Sequence, residues 1–201
     1  QTLHYDSSGT QQWISSYNYQ STASEDYPLE IKCDAAYNQW ICGAADVGTT
    51  TDMAAMKQNM YGTRLWTVTY NGTANGNDTA IAISYLPNNL TVVTGRSKEL
   101  VNGGTRDAIT TMLIDSGTVL WTQHYYGDSL NAIPTAMTTD TNGNIYISGY
   151  YQTSSQALNG LVLVYDQSGA LIYFDKYNGT ANLNDRFNDI TLDYQNNICV
   201  T

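Results

Sequence analysis

An all-β fold built from a repeated four-stranded unit is predicted by three observations. The first is spacing. A glycine is followed four residues on by an aromatic, and four further on by a tyrosine, at Gly9-Trp13-Tyr17, Gly62-Trp66-Tyr70, Gly117-Trp121-Tyr125 and Gly169-Tyr173-Tyr177. The first aromatics lie 53, 55 and 52 residues apart (13 to 66, 66 to 121, 121 to 173). A period near 50 in a chain rich in Gly and aromatics points to propeller blades or a similar array. The second observation is local. Short runs of β-branched and aromatic residues are bounded by Asx and Gly turns along the whole length. The third is that runs such as Leu161–Tyr165 are apolar without alternation. That suits strands covered on both faces, as blades are by their neighbours.

The third copy shows the unit best. Pro134–Thr139 reads as a first strand, Asp140–Asn144 as a turn, and Ile145–Ser148 as a second strand stopped by Gly149. A polar loop, Tyr150–Gly160, leads to a third strand, Leu161–Tyr165. Asp166–Gly169 turns it back into a fourth, Ala170–Tyr177, and Asn178–Asp185 leads onward. Aligned with it, first strands fall at Glu30–Asp34, Ala80–Ser84, Ala136–Asp140 and Asp189–Asp193. Second strands fall at Trp40–Gly43, Val92–Gly95, Tyr146–Gly149 and Cys199–Thr201. Third strands fall at Leu3–Tyr5, Ala54–Lys57, Ile109–Ile114 and Leu161–Tyr165. Met53–Met60 has the composition of a helical turn but aligns with a third strand.

The chain therefore starts in a third strand and stops in a second. Two strands from each end make a fourth copy. The expected fold is a single β-propeller domain over residues 1–201, with four blades of four antiparallel strands. Its last blade is shared between closing strands in 1–17 and 186–201, and the full repeats cover about 18–70, 71–125 and 126–177. Pairing of Leu3–Tyr5 beside Cys199–Thr201 within one chain is expected, because that partner is always nearby and closure removes open sheet edges; the alternative is closure between chains, in which the N-terminal strands of one subunit complete the last blade of the next.

A resemblance rests on these residues. The run TTDTNGNIYISGYYQTSS, followed by LVLVYDQSGALIYFDKYNG, resembles bacterial β-propeller repeats whose blades read Asp-x-x-Gly-Asn-x-Tyr-x-x-Gly, then Asp-x-x-Gly. The Gly-x-x-x-Trp spacing is similar to the tryptophan-docking motif of quinone-dehydrogenase-type propellers. YDSSGTQQW and IDSGTVLW are loosely similar to the Asp-box turns of sialidases. These families share an architecture and not an activity. Their repeats usually number more than four, which leaves a larger ring open.

Composition narrows the function. The net charge is −10 and only 13% of residues are charged. That argues against nucleic acid and anionic membrane surfaces, both of which need a basic patch. A surface solvated by Thr, Asn and Tyr rather than by charges fits an extracellular, secreted protein. No apolar run approaches the roughly 18 residues of a spanning helix, so membrane insertion is not expected.

No catalytic motif stands out. His4 and His124 fall inside expected strands, and a chain with two His cannot build a multi-His zinc site. No Gly-x-Ser-x-Gly elbow exists, and Arg64, Arg96, Arg106 and Arg186 are scattered. Catalytic and cofactor-binding residues are therefore expected to be absent. Trp13, Trp66, Trp121, Tyr173 and their following tyrosines could stack sugars, but their four-fold repetition favours packing between blades. Asp6, Asp115 and Asp166 precede turn glycines, where an Asp side chain caps the backbone two residues on. Asp140, Asn142 and Asn144 begin a calcium-loop pattern and are the candidate metal ligands, though the downstream bidentate Glu is missing. One loop face gathers Glu25, Asp26, Asp78, Asp128, Asp185 and Asp189, with the matching Asp absent from two of the four copies.

Asn71, Asn77, Asn89 and Asn178 head Asn-x-Thr sequons in expected loops and are the glycosylation candidates. A hairpin centred between Tyr37 and Asn38 makes Cys33 and Cys42 direct partners and predicts a disulfide, with Cys199 left over. Together these features predict a secreted, non-catalytic structural or adhesive module whose partners are copies of itself, in an oligomer or extracellular filament. The alternatives are a glycan or small-ligand binding module on the acidic face, and a glycosidase using two of its carboxylates.

Overall fold

The structure, a computed structural model, describes residues 1–19, 25–127, 130–155 and 157–201. Among them every sheet is antiparallel. The N-terminal pair is β1 (Thr2–Tyr5) with β2 (Gln11–Ser15). The first four-stranded sheet is β3 (Tyr27–Cys33), β4 (Gln39–Asp46), β5 (Thr51–Gln58) and β6 (Arg64–Tyr70). The second is β7 (Thr79–Tyr85), β8 (Leu90–Val101), β9 (Gly104–Asp115) and β10 (Thr118–Tyr125). The third is β11 (Ala132–Thr139), β12 (Ile145–Gln152), β13 (Leu158–Tyr165) and β14 (Leu171–Tyr177). The C-terminal pair is β15 (Ile190–Leu192) with β16 (Ile198–Val200). Met53–Gln58 lies in β5, as its alignment with the third strands predicts.

The chain keeps its neighbours in sequence as neighbours in space. Each four-stranded sheet is a meander, and the apolar clusters sit between successive sheets. Trp40, Met53, Val68, Ile83, Val93 and Met112 join the first sheet to the second. Val92, Ile109, Leu113, Ile147, Leu161 and Leu163 join the second to the third. Val162, Val164 and Ile190 join the third to the C-terminal pair, with Ile198 and Val200 packed alongside. The non-alternating second and third strands are the fully buried ones, as expected for strands covered on both faces.

One glycine recurs for a local reason. Gly43, Gly95 and Gly149 each face a register shift in the first strand, between Pro28 and Glu30, Ala80 and Ala82, and Pro134 and Ala136. A Cβ at any of them would overlap a carbonyl oxygen of that strand, at 1.9, 2.2 and 2.2 Å. The bulge brings backbone against backbone, so only glycine fits.

Two expectations are corrected here. The Cys33–Cys42 disulfide is not formed, and both thiols are free. The β3–β4 turn runs Asp34 to Asn38, closed by Asp34 N–H to the Asn38 carbonyl at 3.1 Å. It is centred on Ala36, so Cys33 faces Gln39 and Cys42 faces Glu30. That places the two cysteines three strand positions out of register, roughly 10 Å at 3.3 Å per residue, beyond disulfide reach. The second correction concerns the ends. β1 pairs with β2 and β15 with β16 in separate sheets, and Leu3–Tyr5 does not lie beside Cys199–Thr201.

Candidate functional site

The acidic loop face is built from backbone ties. Asp78 accepts the N–H of Gly72 at 2.5 Å and of Lys98 at 2.6 Å. Asp185 accepts the N–H of Gly179 at 2.8 Å from the equivalent loop. Asp26 accepts the N–H of Tyr19 and of Asp46, both at 3.1 Å. So three copies, not two, carry the tying Asp; the remaining one has Ala132 there, and its Asn131 takes the N–H of Asp107 at 2.8 Å as Asn77 and Asn184 take those of Thr51 and Leu158. Glu25 receives the Tyr27 hydroxyl at 2.8 Å, and Asp189 receives the N–H of Ile190 at 2.8 Å. Asp128 lies outside the described residues. Asp78 is fully buried, and burial pushes its carboxyl up to about 6 against the pull of the two N–H groups. Burial likewise raises Asp52 above its ordinary value.

Beside Asp78 lies a network that sequence reasoning missed. Glu99 on β8 is 2% exposed. Its Oε1 accepts Tyr70 Oη at 2.8 Å and Ser97 Oγ at 2.6 Å; its Oε2 accepts Thr73 N at 2.9 Å and Thr73 Oγ1 at 2.6 Å. His124 sits 3.3 Å from Tyr70 Oη and 2.9 Å from Thr110 Oγ1. Burial works to raise Glu99, but the bonds from Ser97, Thr73 and Tyr70 outweigh it and hold the carboxyl below its ordinary value. Burial lowers His124, against the opposing charge of Glu99. An ionised carboxylate beside a neutral imidazole thus ties the loop after β6 to β8, β9 and β10 of the next sheet. The signal was faint: the second strand was expected to end at Gly95, whereas β8 continues to Val101 and carries Glu99 inward.

The turn aspartates hold turns. Asp140 Oδ1 accepts the N–H of Asn142 and Asn144 at 2.9 and 2.8 Å, and its Oδ2 accepts Asn144 Nδ2 at 2.8 Å. The proposed calcium ligands are therefore bonded to one another. Asp34 and Asp193 repeat the pattern with Asn38 and Asn197. Asp6 and Asp166 use Ser8 and Ser168. Asp115 departs from it. Its turn is a two-residue one, Ser116-Gly117, with φ of 49° and 90°, and its carboxylate takes the Ser116 hydroxyl. Asn71, Asn77, Asn89 and Asn178 are all exposed; Asn89 lies in a short 3-10 turn, Pro87–Asn89, rather than a plain loop.

The repeated tryptophans dock between sheets. Trp13 Nε1–H donates to the Met60 carbonyl at 2.8 Å, and Trp121 Nε1–H to the Gln167 carbonyl at 3.1 Å. Each thereby caps the third-to-fourth turn of the next sheet. The two ends interrupt this order. On β3, Tyr27, Leu29 and Ile31 are exposed, whereas their counterparts Thr79, Ile81 and Ile83 on β7 are half-buried or buried. On β14, Ile172, Tyr173 and Phe174 are exposed. Beside each of these faces stands a two-stranded sheet with an open edge. A groove between the N-terminal pair and the first sheet is lined by Thr2, Tyr17, Tyr27, Pro28, Ile41 and Ala54.

Residues 121–150 match the family model described as a beta-propeller repeat. The match runs from the docking Trp121 on β10 through β11 and its turn to Tyr150 on β12. No curated protein matches the chain. The chain resembles β-propeller repeat proteins, and it carries one of their repeats between two successive sheets.

Proposed function

We propose that this chain is a secreted, non-catalytic structural or adhesive β-propeller module that assembles with copies of itself. One observation carries the reading: an exposed apolar face and an open sheet edge occur together at both ends of the sheet series. Open edges of this kind pair with other strands, and unpartnered apolar faces seek cover. The side chains first considered for chemistry are used otherwise. Asp26, Asp78 and Asp185 tie loops, and Asp140 closes a turn. A weakly charged surface rich in Thr, Asn and Tyr supports a place outside the cell. Sedimentation velocity across a hundredfold dilution tests the reading. A mass that rises with concentration above the 22.1 kDa of one chain is expected. A single monomer boundary throughout would reject self-assembly.

A further inference from the structure

The network around Glu99 is one proton short. Five side chains of the first and second sheets form a closed ring of five contacts. Tyr70 Oη lies 2.8 Å from Glu99 Oε1, and Ser97 Oγ lies 2.6 Å from the same oxygen. Ser97 Oγ lies 2.5 Å from Thr110 Oγ1, which lies 2.9 Å from His124 Nδ1. His124 Nε2 returns to Tyr70 Oη at 3.3 Å. Each hydroxyl has one proton to give, and an ionised carboxylate has none. Ser97 and Thr110 are fully buried, so their protons go to the partners the ring gives them.

The order of donors is fixed from Glu99 outward. Its Oε2 takes the N–H and the hydroxyl of Thr73, whose oxygen accepts the N–H of Leu100 at 2.8 Å. Its Oε1 takes the protons of Tyr70 and Ser97. With that proton spent, Ser97 Oγ accepts from Thr110, and Thr110 Oγ1 accepts from His124 Nδ1–H. A neutral imidazole protonated on Nδ1 has a bare Nε2. That nitrogen faces a tyrosine oxygen whose proton is also spent. Four protons, from Tyr70, Ser97, Thr110 and His124, serve five contacts. The unserved contact, His124 to Tyr70, is the longest of the five.

We propose that this ring is a proton-operated latch between the first and second sheets: a proton taken from solvent onto His124 Nε2 makes the missing hydrogen bond to Tyr70 Oη, joining β10 directly to β6, and its loss opens that link. His124 is half-buried, with 24% of its side chain exposed, so solvent supplies the proton. Among the described residues, the titratable groups facing it are Glu99 from β8, Tyr70 from β6 and Tyr126 just after β10, its ring 6.0 Å away. The charge of Asp78, in the loop after β6, reaches Tyr70. Burial and the Glu99 bond hold the Tyr70 phenol above its usual range, so it keeps its proton throughout. The imidazolium stands 3.8 Å from Glu99, from Nδ1 to Oε1. Burial opposes its charge and outweighs Glu99, so the latch closes in acid, below the ordinary histidine value of 6.5.

Nitrogen-15 spectra of the histidine rings, recorded on the labelled full chain across pH, test the latch. His124→Gln separates the signals of His124 from those of His4. Neutral His124 is expected to carry its proton on Nδ1, and the acid form to show a slowly exchanging Nε2–H. Two variants break the ring at different points. Ser97→Ala leaves three contacts and three protons, so Thr110 turns its hydroxyl to Nδ1 and neutral His124 changes to the Nε2–H form, two links from the substitution. Tyr70→Phe removes the acceptor for the added proton, and His124 then binds that proton about tenfold more weakly, the loss expected for a hydrogen bond to a charged group. Tyr126→Phe, beside the ring and outside it, changes neither. An unsubstituted chain whose neutral His124 carries its proton on Nε2 overturns the donor order and the latch with it. So does a titration that Tyr70→Phe leaves in place, or a neutral form that Ser97→Ala leaves unchanged. If Ser97→Ala does not fold, the unsubstituted chain and Tyr70→Phe decide the matter.

Discussion

Single residues divide between those that lock one sheet to the next and those that lie at the ends. Trp121 gives its indole face to Gly169 and its N–H to the Gln167 carbonyl. Truncating a large aromatic at such a contact costs about 3 kcal/mol, so Trp121→Ala should lower the urea midpoint clearly. Tyr173→Ala in dilute monomer should change stability by less than about 0.5 kcal/mol, as exposed positions do; equal losses for the two would contradict the docking pattern. Asp78 gives a pH signature. Its carboxyl rises from an ordinary 3.8 to about 6 in the folded protein, so the fold binds this proton more tightly than the unfolded chain does. The sign follows: this stability is full below about 4 and is lost as pH rises through about 6. Asp52 shifts the same way. Asp34 and Asp140 shift down, so their contribution is present above 3.8 and is lost as acid protonates them, in a lower window. Unfolding free energy should therefore fall between pH 4 and 6, and Asp78→Asn should flatten that fall. An unchanged slope in the variant would show that Asp78 does not titrate there.

Among elements, the β8–β9 hairpin stands apart. Its strands run twelve residues each, against the eight of β4, β5, β12 and β13, and the extension carries Glu99 into contact with the loop after β6. Glu99→Ala takes the carboxylate acceptor from the Tyr70 and Ser97 hydroxyls, leaving them His124 and Thr110, and frees Thr73 from its anchor. The expected cost is about 3 kcal/mol, with faster proteolysis within residues 71–78. Glu99→Gln keeps the acceptor Oε1 and should lose less. If the loop stays resistant in Glu99→Ala, the network does not hold it. Element order was legible in the sequence because turn glycines and non-alternating apolar runs recur at fixed offsets, each with a steric cause. The Cys33–Cys42 pairing was misread because register depends on where a turn closes. Five residues capped by Asp34 shift the centre from the Tyr37–Asn38 bond to Ala36. Glu99 was illegible because its burial depends on donors from β6 and the loop after it, which no local pattern encodes.

At the scale of the whole molecule, the repeat count alone suggested a ring closed by its own ends. Among the described residues the arrangement is a series of three four-stranded sheets flanked by two two-stranded sheets that do not pair with each other. Closure depends on the angle accumulated at each docking contact, and spacing in sequence carries no record of that angle. The central claim is that copies of the chain assemble through exposed sheet faces and open edges. Hydrogen–deuterium exchange on the unmodified chain, read at β1 and β16 over a range of protein concentrations, tests it most directly. The account predicts that the amides of Thr2–Tyr5 and Ile198–Val200 gain protection together as concentration rises, while those of β4 and β5 stay protected throughout. Edge amides that exchange freely at every concentration, or that are already protected in a dilute monomer, would contradict it.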